Sequence, residues 1–229
     1  MVKNHLKRLN TPKTWDVKRK RIKFIIRPNP GAHSLDDGMP IGVILRDLLG
    51  YAKTTREVKR ILQENNIIVD GIRRKDPHFS VGFMDTIKFT EIKEAFRVII
   101  NKRGKISLLK INEKESSLKP CKIKGKTKLK AKTQLNLFDG KNILIEKDDY
   151  KTGDTLLLSL PKQEIKAHLK LEKGALICLT MGSHIGEVGV VEDIMANKIK
   201  CKTKKGSVFE TLKKYAFVIG KDKPIVTIE

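Results

Sequence analysis

Lysine stands at every second position from 122 to 132: Lys122, Lys124, Lys126, Lys128, Lys130 and Lys132, interleaved with Ile123, Gly125, Thr127, Leu129 and Ala131. On a strand, a period of two predicts all six ammoniums on one face, about 7 Å apart. Like charges that close repel unless an anion runs alongside, so the pattern suits a phosphate backbone. One or two lysines would already blunt an edge strand against aggregation. Lys198, Lys200, Lys202, Lys204 and Lys205 build a shorter alternation that ends at Gly206, and Lys18, Arg19, Lys20 and Arg21 form an unbroken basic run near the amino terminus. All of this is binding chemistry directed at a polyanion.

Chemistry of other kinds has little to stand on. His5, His33, His78, His168 and His184 have neither metal-ligand spacing nor a nucleophile pattern. Asp148, Asp149 and Asp154 surround a glycine-containing turn, where aspartate serves local backbone bonds. Gly182, Gly186 and Gly189 do not match a dinucleotide fingerprint. Cys121, Cys178 and Cys201 lie singly, which fits neither a disulfide scaffold nor zinc ligation. No cofactor, metal or catalytic group is expected.

The charge balance points the same way: 229 residues carry 49 Lys+Arg against 26 Asp+Glu, a formal net charge of +23. Residues 1–30 hold ten of the cations with Asp16 the only acid, and residues 93–132 hold fourteen against three acids. An excess in two separate places predicts an extended footprint on nucleic acid. Apolar runs such as Ile41 to Leu45 fall far short of the roughly 18 residues of a membrane helix. The first residues lack the apolar core of a secretory signal, so a cytoplasmic site of action is expected.

The elements that must carry these cations can be read in order. Residues 1–40 read as an irregular basic arm that orders on its polyanion, with Trp15 pinning it to the body. Ile41, Ile44, Leu45 and Leu48 have helical spacing and stop at Gly50. Thr54 with Glu57 is a capping box opening a second helix. With Lys53 just ahead of it, that helix gathers Arg56, Lys59, Arg60 and Gln63 on one side and Val58, Ile61 and Leu62 on the other. Asp70-Gly71 predicts a tight hairpin turn before Arg73, Arg74 and Lys75. From Phe96 onward the pattern is strand-like, and Asp149 to Leu158 reads as a turn entering a buried strand.

Thr55-Arg56, Arg60, Ile68-Val69-Asp70-Gly71 and Asp85 with Ile87 resemble the small two-helix RNA-binding module of ribosomal proteins, pseudouridine synthases and some tRNA synthetases. Met84 stands before Asp85 where many such modules have glycine. Gly182, Gly186, Gly189 and Val191 resemble the KOW motif, a small β-barrel, with Ile185 and Glu187 where basic residues often stand. Together with Tyr150-Lys151-Thr152-Gly153-Asp154 and Val81-Gly82-Phe83-Met84-Asp85, the order of parts is similar to the archaeal and eukaryotic ribosomal S-four-e family.

The resemblance implies an α+β chain of several modules: a basic extension (1–40), the two-helix module (41–92), a central β domain (93–172) and a KOW-type barrel (173–229). It further implies a non-enzymatic constituent of the small ribosomal subunit, whose partners are small-subunit ribosomal RNA and neighbouring ribosomal proteins, without a membrane. An RNA-modifying enzyme of pseudouridine-synthase type, or a KOW-containing transcription or RNA-chaperone factor, is the alternative.

Overall fold

Period-two patterns dominate the sequence, and the computed structural model, which describes residues 4–129, 132–203 and 206–228, is mostly β-strand with few helices. The chain divides into two units, one running to Ile99 and resuming at Lys105–Ser117, the other comprising Ile100–Gly104 and everything from Leu118.

In the first unit, β1 (Leu6–Lys7) pairs antiparallel with β2 (Phe24–Ile25), and β3 (Gly38–Pro40) pairs with β6 (Ser80–Gly82). The helical run begins as α1 (Ile41–Val43), widens to a π-type turn over Ile44–Leu48 and ends before Gly50, whose φ of +71° favours glycine. Among the described residues the one regular helix of several turns is α2 (Thr55–Glu64). Its capping box is in place: the Thr54 hydroxyl accepts from the Glu57 amide at 3.2 Å, and the Glu57 carboxylate accepts from the Lys53 amide at 2.7 Å. The first of these bonds satisfies a donor the first turn leaves orphaned, and the Lys53 amide, one residue ahead of the cap, holds the Glu57 carboxyl below its usual value. Val58 and Leu62 are buried.

A five-stranded antiparallel sheet follows, from β4 (Ile67–Val69), β5 (Ile72–Arg73), β7 (Thr86–Phe89), β8 (Glu94–Ile100) and β9 (Ile106–Ile111), in the order β5-β4-β7-β8-β9. Asp70 and Gly71 both take positive φ, as the two-residue turn between β4 and β5 requires. This sheet continues beyond residue 92, the boundary expected from sequence, through Ile111.

Residues 4–40 are not an irregular arm. Trp15, Ile25 and Ile26 are buried in the same core as Ile41, Ile44, Leu45, Val58 and Ile87. The Trp15 indole donates to the Gly38 carbonyl at 2.9 Å, so it pins the segment as expected. Each buried isoleucine contributes on the order of 2 kcal/mol, which helps offset the ordering of the backbone around it. Arg8, only 1% exposed, reaches Asp47 at 3.1 Å. Three apolar anchors and one buried ion pair therefore make this basic segment a layer of the unit.

His33 completes the attachment. Its Nε2 lies 2.8 Å from Asp85 Oδ2, which also accepts from the Gly82 amide at 2.9 Å. Met84, where glycine is common in such modules, is buried with φ of +64°, so the left-handed turn is kept despite the side chain.

The second unit holds two antiparallel five-stranded sheets. The first is built from β10 (Leu118–Leu129), β11 (Lys132–Leu137), β12 (Asn142–Ile145), β13 (Thr155–Ser159) and β14 (Glu164–Leu169), in the order β12-β11-β10-β13-β14. Its core is Cys121, Ile123, Leu135, Leu137, Leu156 and Leu158. The second is built from β15 (Leu176–Leu179), β16 (Val188–Ile194), β17 (Lys198–Thr203), β18 (Val208–Leu212) and β19 (Ala216–Gly220), in the order β18-β17-β16-β15-β19.

A Cβ added at Gly82 would sit 2.4 Å from the buried His33 ring, close enough that the ring or the backbone must shift. Gly82→Ala is expected to part His33 from Asp85 and to cost about 2–3 kcal/mol. A lower urea midpoint at unchanged slope would register that loss.

Candidate nucleic-acid interface

The lysine ladder does not form a single face. On β10 the register with β11 shifts between Ile123 and Gly125, a bulge that reverses the alternation at Lys124. Before the bulge the odd residues Cys121 and Ile123 face the core; after it Lys126 lies opposite Leu135 and Lys128 opposite Thr133, on that same face. Lys122 points to the other side. The expectation of six ammoniums in one row fails because one extra residue in a strand of period two turns every later side chain over.

Lys122 is also not available to a ligand. Its ammonium donates to the carbonyls of Ala216 at 2.6 Å and Lys214 at 2.9 Å, binding β10 to the turn that leads into β19. Burial, with Lys213 nearby, pushes its pKa down to about 8. Lys124 and Lys128 are exposed, with no carboxylate within 4 Å among the described residues. Lys126 is paired with Asp148, and Lys132 with Glu146 at 3.2 Å. Lys130 lies outside the described residues.

The second alternation keeps its phase. On β17, Ile199 and Cys201 are buried while Lys198, Lys200 and Lys202 share the outer face. Glu210 lies 3.7 Å from both Lys198 and Lys200, and Glu192 is 4.0 Å from Lys202, so the row is partly neutralised. Lys204 and Lys205 lie outside the described residues. The preceding loop uses Gly182 and Gly186 at positive φ, and a Cβ on Gly186 would meet the Asn101 carbonyl oxygen at 2.4 Å. His184 there stacks on Phe209 at 4.2 Å and pairs with Glu187 at 3.1 Å, so these two polar side chains of the loop are engaged internally.

In the first unit, Lys53, Arg56, Lys59 and Arg60 are exposed along and just before α2. Arg60 is bonded to Glu64 at 2.8 Å, a solvent-exposed pair that a phosphate can displace. Arg73 donates to the Gln63 carbonyl at 2.9 Å and Lys75 is exposed. Arg74 differs from expectation: its guanidinium lies 4.2 Å from the Phe79 ring centroid and is half-buried. Lys18, Lys20 and Arg21 are exposed. Arg19 instead donates to the carbonyls of Leu9, Thr11 and Pro12 at 2.9–3.1 Å, so it shapes the backbone that presents its neighbours.

Sequence reasoning missed the buried cations. Lys119 meets Asp139 at 2.9 Å, both almost inaccessible; burial pushes the Asp139 carboxyl up, but Lys119 and Lys141 together outweigh it and the group stays below its usual value. Arg97 lies fully buried against Glu115 at 3.2 Å. Lys119 lies next to Pro120 and two residues from Cys121, and that local apolarity was the available signal.

Asp154 behaves as turn chemistry predicts, accepting from the Lys151 and Leu171 amides and from His168. All three cysteines are free and buried. Among the described residues no group of three or more His, Cys, Asp and Glu could hold a metal ion, and no helix is long and apolar enough to cross a membrane.

Comparison with known proteins matches three family models along the chain: the RS4NT (NUC023) domain at residues 2–36, the S4 domain at 43–87 and Ribosomal family S4e at 92–165. The small ribosomal subunit protein eS4 of Methanosphaera stadtmanae is 44% identical over 99% of this chain and 96% of its own length. That of Methanocella arvoryzae is 44% identical over 99% and 98% respectively. The crystal structure of the 30S ribosomal protein S4e from Thermoplasma acidophilum, 30% identical, superposes with a TM-score of 0.72 over 85% of this chain and all of that one.

The Lys122 geometry has a pH signature. Its folded value of about 8 lies below the unfolded value of about 10.4. Between those values the folded state holds fewer protons, so the group's contribution to stability rises with pH through that window and is lost as pH falls back through 8. Subtracting the stability curve of Lys122→Met from that of the wild type is expected to leave this rise; a flat difference between pH 8 and 10 would place the ammonium in solvent.

Proposed function

The chain belongs to the ribosomal S4e family, and from that premise we infer that it is a structural, non-enzymatic constituent of the small ribosomal subunit, holding ribosomal RNA through several basic faces. The observation that carries this reading is the coincidence of the S4-domain match, residues 43–87, with the segment that leaves Arg56 and Lys59 exposed and, among the described residues, unpaired by carboxylates. Phosphate contacts by such side chains release counterions and supply most of the affinity, while the register of the module is fixed by its packed, capped helix.

The RNA-facing residues proposed are Lys18, Lys20, Arg21, Lys53, Arg56, Lys59, Arg60, Arg73 and Lys75 in the first unit. In the second they are Lys124, Lys126, Lys128, Lys132, Lys200 and Lys202. Lys122, Arg19 and Arg74 are left out because their cationic heads are spent on carbonyls or on an aromatic ring. The functional segments are the extension (1–40), the two-helix S4-type module (41–92, its sheet completed by β8 and β9), the central β region to residue 172, and a KOW-type barrel (173–229). Support for the last is the glycine-bearing loop between β15 and β16. Each segment binds weakly alone, and covalent linkage raises affinity by making the later contacts intramolecular. The partners are small-subunit ribosomal RNA and neighbouring ribosomal proteins, in the cytoplasm.

Sedimentation of a native lysate before and after a high-salt wash tests the reading. Persistent migration with the small subunit in near-unit stoichiometry is expected, and release into light fractions would indicate a transient factor. Arg56→Ala with Arg60→Ala is expected to weaken binding to small-subunit RNA about tenfold or more and to lower the slope of log K against log salt by about two, with α2 intact by circular dichroism.

A further inference from the structure

The β1–β2 ribbon carries an aromatic ring that the buried core does not use. Leu6 lies opposite Ile25, which is buried, while Lys7 lies opposite Phe24 on the outer face. Phe24 is 46% exposed; Ile22, just before it in sequence, and Leu9, just after its strand partner Lys7, are 61% and 66% exposed. The His5 ring meets Phe24 at 5.5 Å and 85°, perpendicular to it, and the Lys23 ammonium is 5.5 Å from the ring centroid. His5 and Lys23 contact the ring, yet about half of it stays exposed, which leaves room for a further partner.

The surroundings define the occupant. Lys7, Lys18, Lys20, Arg21 and Lys23 are all exposed, with no carboxylate within 4 Å among the described residues. Asp16, the one acid of residues 1–30, is bonded to Lys105 at 2.7 Å. A protein docking on this apolar patch would have to bring its own acidic rim. An unpaired nucleotide brings both halves in one unit, a planar base for the ring and a phosphate for the cations. Duplex RNA offers phosphates but keeps its base faces stacked away.

The platform is also held in advance of binding. The buried Arg8 guanidinium donates to the Lys18 carbonyl at 3.2 Å and its backbone amide donates to the Lys23 carbonyl at 2.9 Å as part of the ribbon, while Arg19 is locked on three carbonyls of residues 9–12. The loop between the strands is braced from both ends, which reduces the ordering entropy a ligand must offset.

We propose that the outer face of the β1–β2 ribbon is a stacking site for one unpaired nucleotide of structured RNA, with Phe24 under the base and Lys7 and Lys23 at its phosphates. This rests on the RNA-binding reading above and adds to it a site for a base, where the other basic faces hold backbone.

The test uses the full chain and two hairpin RNAs of equal length, one fully paired and one with a single bulged 2-aminopurine. Wild type is expected to favour the bulged hairpin about 5- to 50-fold and to quench its fluorescence. Phe24→Ala is expected to abolish both the preference and the quench while keeping its affinity for the paired hairpin, and Phe24→Trp to retain both; matching thermal melts exclude misfolding. Lys23→Gln is expected to weaken both hairpins and reduce the salt slope by about one. A Phe24→Ala protein that keeps the full preference overturns the proposal, and equal wild-type affinity for the two hairpins overturns it in favour of a protein neighbour on the patch. Failure to bind either hairpin, with no migration on small subunits, removes the RNA-binding reading itself.

Discussion

A surplus of 23 positive charges on 229 residues is the constraint under which every other feature of this protein is arranged. Self-repulsion of that size opposes any compact state, and burying a cation adds a desolvation cost unless a partner is supplied. The fold meets both demands by sorting its cations. Those inside are matched individually: Arg8 with Asp47, Arg97 with Glu115, Lys119 with Asp139, and Lys122 with main-chain carbonyls. Those outside are spread over ribbon, helix and strand, where water screens them until a polyanion replaces it. Acidic residues are consequently placed for structure: Asp47, Asp139 and Asp85 are all buried or nearly so, and each holds a specific donor.

This sorting explains what could be read from the sequence. Local chemistry was legible wherever a short motif satisfies its own backbone: the Thr54–Glu57 box, the Asp70-Gly71 turn, Gly50 at the end of the first helical run and Asp154 in its turn all do what their residue types dictate. Trp15 was legible as an anchor because a single large apolar ring in a basic segment has little else to pack against. Family membership was legible because the order of parts survives where individual residues change.

What could not be read depends on pairing between distant segments. A bulge at Lys124 arises from how β10 meets two partners, β11 on one flank and β13 on the other, and nothing within the repeat Lys-x-Lys marks where the phase must slip. The same holds for the cations that turned inward. Arg19 and Arg21 sit two residues apart in one basic run, yet one is tied to three carbonyls and the other is exposed. Their difference is set by the carbonyls of residues 9–12 folding back onto Arg19, a contact that the residue types in the basic run do not signal. Treating residues 1–40 as an arm failed for a related reason: Ile25 and Ile26 are too few to show periodicity but enough, with Arg8 and Trp15, to attach a layer.

The bulge also changes what the lysine strand can do. An unbroken row would lie along a single phosphate backbone, whereas a row reversed partway presents Lys128 on one face and commits Lys122 on the other to the interior of the unit. One sequence repeat thus serves two purposes that pull in opposite directions, since the desolvated ammonium at one end depends on staying bonded to the protein and the exposed ones depend on staying free of it. A single extra residue in the strand is what separates them. Had the period run unbroken, either Lys122 would have been lost as a tie to β19 or the outer lysines would have been drawn onto a face that also carries protein contacts.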